Sequence, residues 1–231
     1  MLEHKNTRIL NQYLIHTQRD LLGELRSEIQ RSGIHKIVVL DDDPTGTQTV
    51  ANVPVYTGWD EESIKDIFAN EYLLNFILTN SRAFGEEKTV QVHQEIALNL
   101  KKSAAVTEKK YLLISRADST LRGHYPTETE VLRRELEKDN TICFDGEVIC
   151  PYFAEGGRYT IDNVHYVRYG SELIPAAETE FAKDETFGYH ESDLKKYIHE
   201  KTEGRFKEDE VVDISLEELS DIRINEIVSK L

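Results

Sequence analysis

The 231-residue chain carries 43 acidic and 28 basic side chains, which gives a formal net charge of −15. Nucleic acids and anionic membrane surfaces attract basic proteins, so this balance argues against both as partners. A hydrophobic share of 39% suits a globular protein with a sizeable core, arranged as one large or two small domains. The first residues do not form a signal-peptide pattern and no apolar run reaches membrane length, so we predict a cytoplasmic protein.

A helical lead-in is predicted at the start of the chain. Over residues 6–31, apolar side chains recur near the 3.6-residue period of an amphipathic helix. Gly33 follows and is placed to end that helix, because glycine accepts the left-handed conformation common at helix C-termini. We expect this lead-in, residues 1–35, to pack on the domain that follows it.

A cluster of three acidic residues follows the first predicted strand. Residues 37–40 form an apolar run typical of a buried parallel strand, and Asp41, Asp42 and Asp43 come directly after it. Adjacent carboxylates repel one another, so the cluster costs stability unless other groups relieve the repulsion. Ligands of open α/β sheets bind beyond the carboxyl ends of the strands, which makes this loop a candidate site.

The same order of strand and polar loop recurs three more times along the chain. The further predicted strands are residues 76–79, 111–115 and 147–150. The predicted helices between the strands are residues 61–69, 88–100 and 127–136. This alternation predicts an α/β, Rossmann-like fold, with a mostly parallel sheet and helices on both faces. The carboxyl ends of parallel strands lie at one edge, so we expect the four loops to converge there.

The last third of the chain predicts a different set of elements. These are a small hairpin over residues 165–175, a helix from Ser192 to a stop at Gly204, a strand over residues 211–214 and a helix over residues 221–231. Ser215 and Glu218 have the spacing of a capping box, which predicts the start of a further helix between that strand and the last helix.

The two cysteines, Cys143 and Cys150, are seven residues apart, which is not a spacing typical of metal sites. Cys150 falls in one of the predicted buried strands. We therefore predict a reduced thiol in the core, since free cysteine behaves as a small apolar residue.

One interpretation of the acidic loop is a phosphatase of the haloacid dehalogenase type. Asp41, Asp43 and Thr45 fit the D-x-D-x-T pattern in which the first Asp attacks phosphorus, the second transfers a proton and Mg²⁺ lies between them. Thr79 resembles the second motif of that superfamily. This interpretation also requires a downstream Lys motif and a later strand that ends in paired acids. The sequence does not supply them, so the match rests on few positions.

A second interpretation rests on four motifs in a fixed order. The motifs are Asp42-Asp43-Pro44-Thr45-Gly46, Ser81-Arg82, Asp118-Ser119-Thr120-Leu121-Arg122-Gly123 and Gly157-Arg158. In this order they resemble the N-terminal domain of the four-carbon acid sugar kinase family. The resemblance covers about residues 36–219 and is closest to a subgroup with a D-D-D-P-T-G-T-Q loop, which ends here at Gln48.

The resemblance implies the substrate-binding half of an ATP-dependent kinase for four-carbon acid sugars such as erythronate, threonate or a 3-oxo-tetronate. Family members carry a C-terminal nucleotide-binding domain for ATP and Mg²⁺, and this sequence has neither G-x-x-x-x-G-K-[ST] nor G-x-G-x-x-G. We therefore expect that domain to be absent, and the chain alone to be inactive and to hold no cofactor or metal. A catalytically inert sugar-acid-binding module is a third interpretation. A homo-oligomer stays open.

The chemistry of a hydroxy acid assigns roles within these motifs. Arginine binds carboxylate through two parallel charge-assisted hydrogen bonds, which favours Arg122 first, then Arg82 and Arg158. Phosphoryl transfer needs a carboxylate to orient the hydroxyl, and Asp42 and Asp43 are equal candidates for this role. Whichever of the two does not act on the hydroxyl is expected to cap the following turn. The predicted catalytic residues are Asp42 and Asp43, and the predicted substrate-binding residues are Thr45, Gly46, Ser81, Arg82, Asp118, Ser119, Thr120, Arg122, Gly123, Gly157 and Arg158.

Overall fold

The computed structural model describes residues 2–13, 19–47, 50–139 and 142–231. Within these ranges the strands are β1 (Lys5–Asn6), β2 (Ile34–Asp41), β3 (Val55–Tyr56), β4 (Leu74–Leu78), β5 (Lys110–Arg116), β6 (Arg158–Ile161), β7 (Val164–Tyr169) and β8 (Glu172–Pro175). The α-helices are α1 (Leu21–Ser32), α2 (Glu61–Ala69), α3 (Glu86–Thr107), α4 (Thr127–Glu137), α5 (Leu194–Lys201), α6 (Leu216–Ser220) and α7 (Ile224–Lys230).

The chain divides into two compact units. The parallel unit comprises Asp20–Asp118 and Gly123–Val148. The antiparallel unit comprises Met1–Arg19, Ser119–Arg122 and Ile149–Leu231. The names refer to the sheet that each unit contains.

The parallel unit is built on a sheet of order β3-β4-β2-β5, in which every neighbouring pair is parallel. Asp41, the last residue of β2, pairs with Leu78 of β4 and with Arg116 of β5. The three strands therefore end at the same level, and the loops that follow them begin at one edge. This is the convergence that the sequence predicted for its first three strand–loop pairs.

A large apolar cluster of the parallel unit lies on one face of its sheet. Val38, Leu40 and Ile77 of the strands form one cluster with buried side chains of α2, α3 and α4. On the opposite face, Leu112 and Ile114 of β5 remain 45% and 42% exposed. The three helices thus pack together on the same side, which the prediction of helices on both faces did not anticipate.

The predicted helical lead-in is wrong as a single helix. A 3-10 helix over Thr7–Tyr13 lies in the antiparallel unit, whereas α1 belongs to the parallel unit. Residues 14–18 of the predicted helix lie outside the described residues. The stop at Gly33 is confirmed, because Gly33 caps α1 in the left-handed conformation with φ of 70°.

The antiparallel unit contains a sheet of order β1-β8-β7-β6, in which every neighbouring pair is antiparallel. Its core cluster joins Ile161, Val164, Tyr166 and Leu173. The predicted hairpin is confirmed as β7 and β8, and a mostly parallel sheet is correct only for the other unit. Both sheets together give a mixed α/β fold that is not purely Rossmann-like.

Helix starts in the antiparallel unit follow local hydrogen bonding. The cap of α5 is Asp193, whose carboxylate accepts from the Lys195 backbone N–H, and the predicted cap Ser192 instead accepts a hydrogen bond from the Ala177 N–H. Asp193 is the stronger cap because its acceptor is charged. The capping box of Ser215 and Glu218 is confirmed at the start of α6.

Two predicted strands do not form. Residues 147–150 and 211–214 are irregular, and Val148 is 89% exposed. Short apolar runs predict a strand only if a sheet edge accepts them, and periodicity alone cannot show that. The buried thiol predicted at Cys150 is therefore wrong: Cys143 and Cys150 are both exposed and free.

Candidate functional site

Two of the three acidic residues at the end of β2 are almost fully buried. Asp41 and Asp42 are 2% and 3% exposed, because β2 is flanked by β4 and β5 and the loops beyond close over it. The Asp41 carboxylate lies 3.4 Å from Nη1 of Arg116, its neighbour on β5. Burial raises the pKa of Asp41, and the guanidinium of Arg116 partly offsets that rise.

Asp42 forms a two-point ion pair with Arg82. Nε and Nη2 of Arg82 donate to the two carboxylate oxygens at 2.9 and 2.6 Å, and the Arg82 backbone N–H donates to the Asp42 carbonyl at 3.2 Å. Burial raises the pKa of Asp42 to about 6, and the hydrogen bonds from Arg82 only moderate this rise. A carboxyl group with a pKa near neutrality is suited to accept and release a proton.

Asp43 makes different contacts from Asp42. Its Oδ1 accepts from the backbone N–H of Thr45 at 2.8 Å and from Thr45 Oγ1 at 2.5 Å, which is a local turn-capping arrangement. Its second oxygen lies 3.5 Å from Nη1 of Arg82. Asp43 therefore caps the turn that the sequence assigned to one of the two aspartates, without deciding which.

Two glycines bring unsubstituted backbone close to these carboxylates. A Cβ atom on Gly46 would overlap the carboxylate of Asp41. Gly123 has a φ of 138° and a Cβ there would lie 3.4 Å from Oδ2 of Asp42. Both positions need glycine, the first for space and the second also for its backbone conformation.

The side chain of Ser81 is directed into the parallel unit. Its Oγ donates to Oε1 of Glu128 at 2.6 Å and lies 3.1 Å from Oγ1 of Thr79, which contacts the Asp41 carbonyl at 3.0 Å. Nε2 of His93 is 3.7 Å from the same Glu128 oxygen. Ser81 thus holds the turn that carries Arg82, and its hydroxyl is already engaged within the protein.

In the antiparallel unit, three consecutive carbonyls of the segment Ser119–Arg122 each accept a side-chain hydrogen bond. Nε2 of His165 lies 2.7 Å from the Ser119 carbonyl, Tyr189 donates to that of Thr120 at 2.7 Å, and Tyr197 donates to that of Leu121 at 3.0 Å. We call this arrangement the carbonyl clamp. It holds Leu121 at a positive φ of 65°, which is unfavourable for a branched side chain.

Next to the carbonyl clamp, two guanidinium groups flank one aromatic ring. Cζ of Arg122 lies 5.1 Å from the ring centre of Phe181, and Cζ of Arg158 lies 5.6 Å from it. Nε of Arg122 donates to Thr120 Oγ1 at 3.2 Å. Nε of Arg158 is buried without a hydrogen-bond partner, although its Nη1 donates to the Gly156 carbonyl. We call Arg122 and Arg158, together with the Phe181 ring that both contact, the arginine pair.

Asp184 is the acidic residue beside the arginine pair. One of its oxygens is 3.6 Å from Nη1 of Arg122, which is too long for a hydrogen bond. Backbone N–H groups of Phe187 and Thr186 lower the pKa of Asp184, and Arg122 lowers it further. Asp184 therefore stays ionised and balances part of the positive charge.

The structure divides the predicted site residues between the units. The residues in the parallel unit are Asp42, Asp43, Thr45, Gly46, Ser81, Arg82, Asp118 and Gly123, and those in the antiparallel unit are Ser119, Thr120, Arg122, Gly157 and Arg158. The loop over residues 151–158 does not follow a strand of the parallel sheet, so the predicted fourth strand–loop pair of that sheet is wrong. Asp118 acts electrostatically on Arg82, whose pKa it helps to raise.

Sequence reasoning assigned no role to several residues that shape the candidate site. They are Glu128, His93, Phe181, Asp184, His165, Tyr189 and Tyr197. Two of them carried a detectable signal, since Glu128 and His93 each interrupt the apolar face of an amphipathic helix. The others act through long-range contacts that no local pattern reveals.

Arginines such as those of both units can bind acidic groups, and carboxylates can accept hydrogen bonds from hydroxyls. Residues 37–229 match the family described as the sugar-binding N-terminal domain, and the chain belongs to this family. The predicted resemblance to the N-terminal domain of four-carbon acid sugar kinases is confirmed at this level. The match does not separate the D-D-D-P-T-G-T-Q subgroup, whose Gln48 lies outside the described residues.

Two solved structures share the fold. One is a domain of unknown function (DUF1537) from Bordetella bronchiseptica, with bound citrate and as a domain-swapped dimer, at 23% identity and a TM-score of 0.51 over 70% of this chain and 39% of that one. The other, from Salmonella typhimurium LT2, was provisionally described as a tRNA synthase, at 18% identity and a TM-score of 0.52 over 72% and 38%. The chain spans about two-fifths of each structure's length.

Curated proteins gave no match to this sequence. Among the described residues, no helix is both long and apolar enough to span a membrane. Within those same ranges, His, Cys, Asp and Glu side chains do not gather in groups of three that could hold a metal ion.

Proposed function

We propose that this chain is the acid-sugar-binding part of an ATP-dependent kinase that phosphorylates four-carbon acid sugars of the erythronate, threonate or 3-oxo-tetronate type. Membership of the sugar-binding N-terminal domain family supports the sugar part of the proposal. The arginine pair supports the acid part, and it is the observation that carries the proposal. The acidic loop after β2 supports the phosphoryl-transfer part.

The arginine pair has the properties of a carboxylate site. Arg122 and Arg158 face one ring from two positions, and a guanidinium fork binds a carboxylate through two parallel hydrogen bonds. Nε of Arg158 has no partner, and a buried donor without a partner costs free energy that a ligand oxygen would recover. The 3.6 Å contact of Arg122 with Asp184 is weak enough for a ligand carboxylate to replace.

The carboxylates of the parallel unit are suited to hydroxyl groups. We assign Asp42 as the group that accepts the proton of the reacting hydroxyl, because its pKa of about 6 is near the working pH of most enzymes. Asp43 is assigned to the turn, since it already caps Thr45. Phosphoryl transfer requires mainly positioning and charge stabilisation, so one well-placed carboxylate is enough on the side of the sugar.

In this proposal ATP supplies the phosphoryl group and Mg²⁺ offsets its charge, both bound mainly by a C-terminal nucleotide-binding domain. The residues of this chain bind and orient the acid, and the chain alone does not phosphorylate it. The finding that the chain spans about two-fifths of the solved structures it resembles is consistent with a further domain. Because ATP is the donor, the proposed location is the cytoplasm.

The phosphatase interpretation receives less support from the geometry. It requires Asp41 to attack phosphorus and Asp43 to transfer a proton. Asp43 instead caps the turn at Thr45, from whose backbone N–H and hydroxyl it accepts hydrogen bonds. The inert sugar-acid-binding module makes the same ligand contacts as the kinase half, so only turnover distinguishes these two.

A thermal-shift screen of the purified chain tests the proposal. The panel contains erythronate, threonate, a 3-oxo-tetronate, phosphorylated sugars and citrate, the molecule bound in the Bordetella structure. A ligand at ~100 times its Kd stabilises the folded chain by roughly 2.7 kcal/mol. We expect a shift with a four-carbon acid, and loss of that shift in Arg122→Ala. The matched control is Arg205→Ala, which removes an exposed arginine that also contacts a ring, that of Phe206, at 5.9 Å.

Each other outcome of the screen has a defined meaning. A shift with citrate and none with any four-carbon acid would replace the substrate class. An equal loss in both arginine variants would contradict the arginine pair as the carboxylate site. Phosphate release from a phosphomonoester that Asp41→Asn abolishes would establish the phosphatase in place of the kinase.

A further inference from the structure

A buried acid lies behind the candidate site, on the first turn of α4. Glu128 is 3% exposed, and its Oε1 accepts from Ser81 Oγ at 2.6 Å. A buried carboxylate costs several kcal/mol unless neighbouring groups compensate for it, so such residues are rarely kept for packing alone. Neither the sequence motifs nor the proposed function gives Glu128 a role.

Glu128 reaches the acidic loop through a short chain of contacts. Ser81 is followed directly by Arg82, whose guanidinium donates hydrogen bonds to the Asp42 carboxylate. The hydrogen bond from Ser81 therefore fixes the start of the turn that aims Arg82. Thr79 extends the same network to the backbone of Asp41, because Thr79 Oγ1 lies 3.0 Å from the Asp41 carbonyl.

His93 of α3 also lies close to the Glu128 carboxylate. The Nδ1 of His93 lies 2.8 Å from the Thr89 carbonyl, which can only accept, so Nδ1 carries the hydrogen of this contact. Nε2 is then the nitrogen that faces Glu128, at 3.7 Å. His93 is 1% exposed, so the orientation of its ring is fixed by packing. Among the described residues, the Glu128 carboxylate therefore has one hydrogen-bond donor, the Ser81 hydroxyl, with the imidazole of His93 nearby.

We propose that Glu128 is a positioning residue of the candidate site, which acts on the Asp42–Arg82 pair through its hydrogen bond to Ser81 and through its own negative charge. The inference deepens the proposed function and rests on it for its role in phosphoryl transfer. The hydrogen bond keeps Arg82 aimed at Asp42, and the charge keeps Asp42 ready to hold a proton.

The charges around Asp42 explain why one more carboxylate matters. The groups that face this region from the surrounding elements are Asp41, Asp43, Arg82, Arg116, Asp118, His93 and Glu128. The repulsion from Glu128 raises the pKa of Asp42, whereas Arg82 lowers it. Glu128 and Ser81 therefore act on Asp42 in opposite directions, the first by repulsion and the second by keeping Arg82 in place.

This opposition gives a test that does not depend on catalysis. The side-chain carboxyl carbon of Asp42 is followed by ¹³C NMR over pH 4 to 8 in the 231-residue chain, and Asp42→Asn identifies its signal. Glu128→Gln keeps an oxygen that can accept from Ser81 and removes the charge, so the pKa of Asp42 should fall. Ser81→Ala keeps the charge and loosens Arg82, so that pKa should rise.

Two further variants are the controls. Glu135→Gln removes another buried glutamate of α4, one whose contacts are with Lys138 and Arg134, and should leave the titration of Asp42 unchanged. Glu128→Asp keeps the charge but retracts the oxygen from Ser81. It should therefore give the Ser81→Ala direction and not the Glu128→Gln direction.

The proposal is overturned if a folded Glu128→Gln chain leaves the titration of Asp42 unchanged, or if Glu128→Gln and Ser81→Ala shift it in the same direction. An equal shift in Glu135→Gln would show a general effect of α4. If Glu128→Gln does not fold, Ser81→Ala and Glu128→Asp still decide, since both must raise the pKa of Asp42. If no acid binds the chain, the proposed function fails while these titrations still stand.

Discussion

The two units hold their candidate site arginines in different ways. Arg82 of the parallel unit donates two hydrogen bonds of 2.9 and 2.6 Å to a buried aspartate. Arg122 of the antiparallel unit lies 3.6 Å from Asp184, and both side chains of that pair are 27% exposed. The first guanidinium is bound tightly within the fold, whereas the second is paired more loosely, and in the proposed function a ligand carboxylate replaces Asp184.

The difference follows from what surrounds each arginine. In the parallel unit, strand ends bury carboxylates, and a buried carboxylate without a partner is costly, so Arg82 is needed for stability. In the antiparallel unit, Arg122 lies over the ring of Phe181 and follows the three residues of the carbonyl clamp, and its ion pair with Asp184 is partly exposed. Aromatic packing can thus help to orient a guanidinium without occupying its hydrogen-bonding edge.

The largest effect is expected when the buried ion pair of Asp42 and Arg82 is removed. Arg82→Ala leaves Asp42 without its partner, which should cost about 3–5 kcal/mol of unfolding free energy at pH 7.5. Arg122→Ala should cost less than ~1 kcal/mol, because its ion pair is partly exposed. Urea denaturation of both variants measures the difference. Equal losses would show that the two arginines serve the same purpose.

The second prediction concerns the pH dependence that Asp42 imposes. Its pKa in the folded chain is about 6, above its ordinary value, so the stabilising contribution is present below about pH 4 and is lost as the pH rises through 6. Between pH 4 and 7, the wild-type chain should lose about 2–3 kcal/mol relative to Asp42→Asn.

Urea denaturation of both chains at several pH values checks this loss. Asp43→Asn is the control, and should follow the wild-type profile because Asp43 caps a turn near the surface. A constant difference between wild type and Asp42→Asn at all pH values would rule out a raised pKa at Asp42.

The smallest of these effects on stability is expected at the carbonyl clamp. Tyr189→Phe removes the hydrogen bond to the Thr120 carbonyl and should cost about 1–2 kcal/mol, because that carbonyl is left buried without this donor. Tyr169→Phe removes an exposed tyrosine hydroxyl that donates to Glu180, and should cost less than ~0.5 kcal/mol. Thermal unfolding measures both, and a similar cost for the two would mean that the clamp adds no rigidity.

Much of the parallel unit could be predicted from sequence, because its order of strand, loop and helix is local. The three strands and their helices were found, and so was the placement of Asp41, Asp42 and Asp43 at the strand end. The roles of Asp42 and Asp43 could not be separated. Their difference arises from Arg82, a residue 40 positions away from Asp42 along the chain.

The antiparallel unit was less accessible to such reasoning. Its hairpin has a local turn signal, and Arg122 and Arg158 were found through the motifs of a resembling family. The ring of Phe181 and the three donors of the carbonyl clamp could not be found, because each contacts a residue that is distant in sequence. Contacts between distant segments depend on which side chains are buried and which sheet edges are free to pair. A single sequence does not show either of these.

The most direct test of the central claim is calorimetric titration of the best four-carbon acid into wild type, Arg122→Ala and Arg205→Ala. Loss of a charge-assisted carboxylate contact should weaken binding by about 10- to 100-fold in Arg122→Ala, and Arg205→Ala should bind as the wild type does. Equal Kd values for all three chains would contradict the assignment of the arginine pair as the site that recognises the acid.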